Sequence, residues 1–300
     1  MADASRGASK FPLRLDQLKA APKSLVRPSE RSAPVPLPLP QQPLPQAINA
    51  VTAAARTVLR PQAPLQHAVQ QAQRRSAPSG LGLDSSLVRA RMVERLADGG
   101  LRDPRVLAAM GEIPRHQFVD AALVTQAYED TSLPIGHAQT ISKPSVVARM
   151  IELLMSGPSA RVQGHLGRTL EIGTGCGYQA AVLARLAKQT ISIERLKPLH
   201  DKARELLAPL RIGNLRLVYA DGVLGHAPNA PYDSIIAAAG GEAIPQAWLD
   251  QLAVGGRLVA PVRDSSGRQA LVVVDRSEQG FDRTVHETVQ FVPLKSGTVR

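Results

Sequence analysis

The stretch Leu170-Glu171-Ile172-Gly173-Thr174-Gly175-Cys176-Gly177-Tyr178 sets three glycines at alternate positions just after a short apolar run. Glycine takes positive φ without steric cost and lets a ligand come close to the backbone. A helix that starts after such a turn offers unpaired N–H groups. Two acidic positions follow in order: Glu194, which lies 21 residues beyond Gly173, and Asp221, which is followed by Gly222. A carboxylate at Glu194 can accept both hydroxyls of a ribose, and one at Asp221 can address an adenine amino group. Glu171, inside the run, can orient the turn or face a cationic end of the same ligand. The chemistry on offer is nucleoside recognition.

Other reactive types give less. Cys176 is the only cysteine, which excludes a disulfide scaffold and a cysteine-rich zinc site. It lies near a helix start, where a thiol pKa can be lowered. No histidine adjoins it in sequence, and the turn itself asks for a small side chain. His116, His137 and His226 have no metal-ligand spacing and read as packing or hydrogen-bonding residues.

These residues need elements to position them. Apolar runs predict strands over 168–172, 190–194, 215–219, 234–238 and 257–262, alternating with helices over 179–187, 197–207 and 246–252. Upstream, Asp84 or Ser85 can cap a helix running to Asp98, and Asp103-Pro104 can start another. Ser142-Lys143-Pro144 opens a third, with Ser142 placed to cap it. Residues 270–274 and 286–292 read as two final strands with no helix between them. The alternation predicts an α/β fold: a Rossmann-like, doubly wound, mainly parallel sheet with an antiparallel C-terminal edge. Glu194, Asp221 and the glycine turn then all fall at carboxyl ends of strands, where open α/β sheets bind ligands.

Composition separates two regions. Residues 1–80 hold 12 of the 24 prolines, and 11 Lys/Arg against 3 Asp/Glu, so most of the net charge of +11 sits there. This segment reads as a disordered, proline-rich basic extension, and 81–300 as the folded domain. Its charge leaves nucleic acid open as a partner, but basic charge in an open arm is not selective. No apolar signal core or membrane-length run is present, so a cytoplasmic location and no membrane partner are expected.

The spacing G-x-G-x-G separates two cofactor classes. A dinucleotide fold asks for G-x-G-x-x-G/A, and Tyr178 occupies that last position. The observed spacing instead resembles the first motif of S-adenosylmethionine-dependent methyltransferases. The similarity extends much further. Ile113-Pro114-Arg115-His116-Gln117-Phe118-Val119 is followed by Ala127-Tyr128-Glu129-Asp130, Leu133-Pro134-Ile135-Gly136 and Gln139-Thr140-Ile141-Ser142. Ser192-Ile193-Glu194-Arg195, Asp221-Gly222, 230–236 and the closing Phe291-Val292-Pro293-Leu294 come in the same order. Over 84–295 the chain resembles the protein-L-isoaspartate (D-aspartate) O-methyltransferase family.

That resemblance implies the class I methyltransferase fold and S-adenosyl-L-methionine as cofactor. It implies methyl transfer to the α-carboxylate of isoaspartyl and D-aspartyl residues in aged proteins and peptides, with repair through a succinimide. It places the loop of Gln139, Thr140 and Ser142 over the active site. Ser142 with Thr140 is then catalytic, and Gln139, Glu171, Gly173, Gly175, Gly177, Glu194, Asp221 and Gly222 hold the cofactor. Ala138 and Cys176 depart from the common Gly and Ser of the family. A monomer is expected, because a macromolecular substrate needs an open rim. The competing readings are a methyltransferase for a small carboxylic acid or RNA, a non-enzymatic binding module, and an NAD-dependent oxidoreductase.

Overall fold

The computed structural model describes residues 86–264 and 266–300. The extension 1–80, with its expected disorder, lies outside them. So do the expected caps Asp84 and Ser85.

Parallel order in the sheet follows from buried strands read as apolar runs. β3 (Arg168–Ile172), β4 (Gln189–Glu194), β5 (Leu215–Tyr219), β6 (Tyr232–Ala237) and β7 (Leu252–Arg263) are parallel neighbours. β8 (Gln269–Ser277) and β9 (Gly280–Val289) continue the sheet antiparallel, giving the order β5-β4-β3-β6-β7-β8-β9. β3 is flanked by β4 on one side and β6 on the other, so the strand order reverses beside it. That is the switch point, and the glycine turn leaves β3 there.

Seven α-helices are described. α1 (Ser86–Asp98), α2 (Pro104–Glu112) and α3 (Pro144–Met155) precede the sheet, and α4 (Pro158–Gln163) leads into it. α5 (Tyr178–Leu186) follows the glycine turn, α6 (Lys197–Leu207) follows β4, and α7 (Gln246–Gln251) precedes β7. One core packs α1–α3, α5 and α6 on one face of the sheet. A second, around Trp248, Leu249 and Tyr232, covers the other face. The second face therefore depends on a short helix and one large indole, which is 1% exposed.

Three expectations need correction. The last strand spans 280–289, not 286–292, because a tight turn at 278–279 brings the chain back early. Its residues are mostly exposed, as befits a sheet edge, so no apolar alternation marked it. Ser142 does not cap α3. The cap residue is Lys143, whose side chain makes no capping bond. Instead the Asp130 carboxylate accepts from the Ser145 amide at 2.9 Å and its hydroxyl at 2.7 Å. Finally, a small two-stranded sheet, β1 (Leu133–Gly136) and β2 (Gln139–Ile141), stands where no strand was expected.

Candidate active site

The glycine turn is built the way its spacing implies. Gly173, Gly175 and Gly177 have φ of 91°, 56° and 93°. At Gly177 a Cβ would also lie 2.8 Å from Leu207 Cδ1 on α6. Any other residue there would strain the backbone and push α6 away. The Glu194 carboxylate ties the turn to β4: Oε2 accepts from the Gly175 amide at 2.9 Å, and Oε1 accepts from the Leu196 amide at 2.9 Å. A carboxylate has about four lone-pair sites, so room remains for further donors.

Beneath the turn lies a buried polar chain. Thr174 and Ser192 hydroxyls pair at 2.6 Å, and Ser192 donates to Glu171 Oε2. Glu171 is fully buried, and this desolvation pushes its carboxyl up to about 8. The nearby Glu194 charge adds to the rise, while the hydrogen bond from the Ser192 hydroxyl opposes it. Glu171 Oε1 and Gln179 Nε2 lack hydrogen-bond partners. Burial pushes the Cys176 thiol up to about 11, the opposite of the lowering a helix start can give. It is a packing residue in this turn.

Asp221 caps its own turn. Oδ1 accepts from the Val223 amide at 2.9 Å, and Oδ2 accepts from the Gly297 amide at 2.6 Å. The Trp248 indole donates to the Gly222 carbonyl at 2.8 Å. A Cβ on Gly222 would lie 2.6 Å from Ile172 Cγ2, so glycine is required where this turn crosses β3.

A cavity of about 340 Å³ opens at these strand ends. It brings together Gln139, Thr140, Ser142, Gly173, Gly175, Glu194 and Gly222. Glu171, Gly177 and Asp221 are not on its wall: Glu171 sits a layer below, Gly177 faces α6, and Asp221 holds the C-terminal segment. The β1–β2 hairpin forms one side, turning through His137 and Ala138 at φ of 53° and 55°. The closing segment forms another. Gly240 and residues Val292 and Leu294 exchange backbone hydrogen bonds at 2.9 and 2.8 Å, and Gln269 clamps the Phe291 amide at 2.7 Å.

Sequence reasoning left two contributors unassigned. Gln179, on the first turn of α5, lines the cavity with a buried amide. Arg115 is fully buried and, among the described residues, enters no ion pair. Its Nε donates to the Ala127 carbonyl at 2.8 Å, and its Nη2 to the Ser142 carbonyl at 2.7 Å. Its guanidinium lies 4.9 Å from the Tyr178 ring centroid. It thus joins the hydroxyl-bearing loop to the glycine turn. A lone arginine followed by histidine gives no signal of such burial. His116 bonds the Tyr128 hydroxyl through Nδ1 at 2.7 Å, in line with a hydrogen-bonding role.

Comparison with known proteins decides between the cofactor classes. The family model for protein-L-isoaspartate(D-aspartate) O-methyltransferase matches residues 88–299. The chain belongs to this family. It is therefore an S-adenosylmethionine-dependent methyltransferase. The family's protein-L-isoaspartate O-methyltransferase of Methylibium petroleiphilum is 60% identical over 300 residues, covering 99% of this chain and 100% of that one. The Leptothrix cholodnii relative is 64% identical over 241 residues, 80% of this chain and 84% of its own. A solved protein-L-isoaspartate O-methyltransferase superposes with a TM-score of 0.62 at 27% identity, covering 69% of this chain and 66% of that one. A Plasmodium falciparum structure, solved with S-adenosyl-L-homocysteine, shares the fold with a TM-score of 0.58 at 24% identity, over 69% and 98%. The family's cofactor fits the site on three counts: glycines that leave backbone open to a ligand, a carboxylate at the end of β4, and an unpartnered Gln179 amide on the wall. Among the described residues no helix is long and apolar enough to cross a membrane.

Proposed function

We propose that this enzyme methylates the α-carboxylate of L-isoaspartyl and D-aspartyl residues with Ser142 and Thr140 holding the acceptor. The observation that carries the proposal is the meeting of two hollows at these residues. Thr140 and Ser142 line the cavity beside the glycine turn and also an outer groove of about 950 Å³. An acceptor in the groove and a cofactor in the cavity would meet at their hydroxyls.

When bound, S-adenosylmethionine supplies an electrophilic methyl on a sulfonium. Gly173, Gly175, Glu194 and Gly222 would hold it, with Gln139 and Gln179 on the wall. Glu171 acts from below through Ser192, and Asp221 through the turn it caps. The acceptor carboxylate is already ionised at neutral pH, since model carboxyl pKa values are about 3.3–4.3. No general base is needed. The hydroxyls of Ser142 and Thr140 donate to one carboxylate oxygen and leave the other free to attack. The gain is one of proximity and orientation, with reacting atoms held about 3–3.5 Å apart. The loop and the closing segment exclude water, which otherwise stabilises the separated charges.

Among the described residues the Ser142 hydroxyl has no hydrogen-bond partner, and it does not cap α3. That leaves it available for an acceptor. Repair would then follow from collapse of the methyl ester to a succinimide. The enzyme acts as a cytoplasmic monomer in this reading, and the reaction calls for no nucleic-acid partner. The test is transfer of labelled methyl to an isoaspartyl peptide beside its normal aspartyl twin. Base-labile label on the isoaspartyl peptide alone supports the reading. Label on neither, with cofactor bound, overturns it.

A further inference from the structure

We propose that the groove outside Ser142 recognises acidic residues flanking the damaged site, so that isoaspartyl residues in negatively charged segments are the favoured acceptors. The proposal rests on the methyl-transfer reading above and names its substrate class.

The groove meets the cofactor cavity at Thr140, Ser142 and Val292. An acceptor residue placed at Ser142 therefore runs its neighbours along this groove. Among the described residues, the charged ones on its walls are Lys143, Arg263 and Arg268, with no carboxylate beside them. Lys143 directly follows Ser142 and is exposed. Arg263 ends β7 and Arg268 immediately precedes β8, so one hairpin carries both guanidinium groups. Arg268 donates to the Ser266 hydroxyl at 3.0 Å and lies 3.6 Å from Asp264, which orients it and offsets part of its charge. Among the described residues Lys143 and Arg263 enter no ion pair.

The imbalance is local. Residues 81–300 carry 25 Lys/Arg against 22 Asp/Glu, so the folded domain is near balance. Three cations without a lining carboxylate around one groove are not a sample of that surface. A peptide with Asp or Glu near its isoaspartyl residue sets negative charge among them. Electrostatic complementarity of this kind fixes register and raises association rate, and it weakens with salt. Thr288, Gln290 and Phe291, where the chain leaves β9, line the same groove.

The test uses the full chain and three isoaspartyl peptides that differ only in flanks: acidic, neutral and basic. The acidic peptide is expected to have a KM at least tenfold below the neutral one at low salt, with similar kcat. The basic peptide should be weaker than both, and the spread should shrink at high salt. Peptide affinity measured with S-adenosyl-L-homocysteine present should follow the same order. Lys143→Gln, Arg263→Gln and Arg268→Gln together should erase the spread while activity on the neutral peptide persists. Equal KM values for the three peptides overturn the proposal, as does a spread that survives the triple variant. Methylation of none of the peptides would instead overturn the underlying activity, so the two failures are distinct.

Discussion

Arg115 Nη2 donates to the backbone carbonyl of Ser142 at 2.7 Å. The side chain that does this is buried and, among the described residues, enters no ion pair. Its charge is met by carbonyls and by the Tyr178 ring. A bidentate, planar donor is needed to span those groups, and lysine cannot replace it. Arg115→Lys should therefore cost about 3 kcal/mol of stability, as buried carbonyls lose donors. It should also lower kcat more than cofactor affinity, because the Ser142 loop loses its anchor. Denaturant unfolding and single-turnover assays check the two halves.

Ser142→Ala should reduce turnover about 10–100-fold, the worth of a hydrogen bond to a charged group. Cofactor affinity should change little. Helix α3 should be unaffected, since Asp130 caps it. Calorimetric binding of the cofactor beside methyl-transfer rates separates these outcomes. Equal loss in both would remove Ser142 from contact with the acceptor.

Ala138 occupies the left-handed region at φ 55°, a conformation glycine adopts without steric cost. A non-glycine residue there costs about 1–2 kcal/mol. Ala138→Gly should stabilise the folded enzyme by up to about 1 kcal/mol, once the freedom glycine gains in the unfolded chain is deducted. A thermal melt reads this directly.

Glu171 makes stability depend on pH in an unusual direction for a carboxyl. Its pKa in the fold is about 8, against 4.5 ordinarily. Between those values the folded protein holds a proton that the unfolded chain releases. This contribution is complete below about pH 4.5 and is lost as pH rises through about 8. Glu171→Gln should flatten that decline in ligand-free enzyme. Unfolding free energies at pH 5, 7 and 9 for both proteins are the check.

Asp221→Ala should weaken cofactor binding by about 1–3 kcal/mol, the cost of stranded donors. Part of that loss should be reproduced by removing residues 296–300, because Asp221 also holds the Gly297 amide. A full loss with the shortened chain still binding normally would assign the carboxylate directly to the adenine.

Much of this was legible because it is local. The run 168–172, the helix 197–207 and the strand 215–219 coincide with the elements found, each marked by its own apolar pattern. The glycine turn was legible because positive φ selects glycine. What escaped depended on distant partners. β1 and β2 are four and three residues long, too short for periodicity, and exist by pairing with each other. The cap of α3 comes from Asp130, fifteen residues upstream of the amide it meets. Arg115 reads as a surface charge until the carbonyls of Ala127 and Ser142 surround it.

Thr140 and Ser142 are shared by a cavity and a groove that lie on either side of them. Two ligands that approach one wall from opposite sides do not block each other's entry. Neither has to bind first for the other to find its place. Steady-state kinetics should accordingly show random addition. Spent cofactor should compete with fresh cofactor and not with peptide, and a non-methylatable peptide should compete only with peptide.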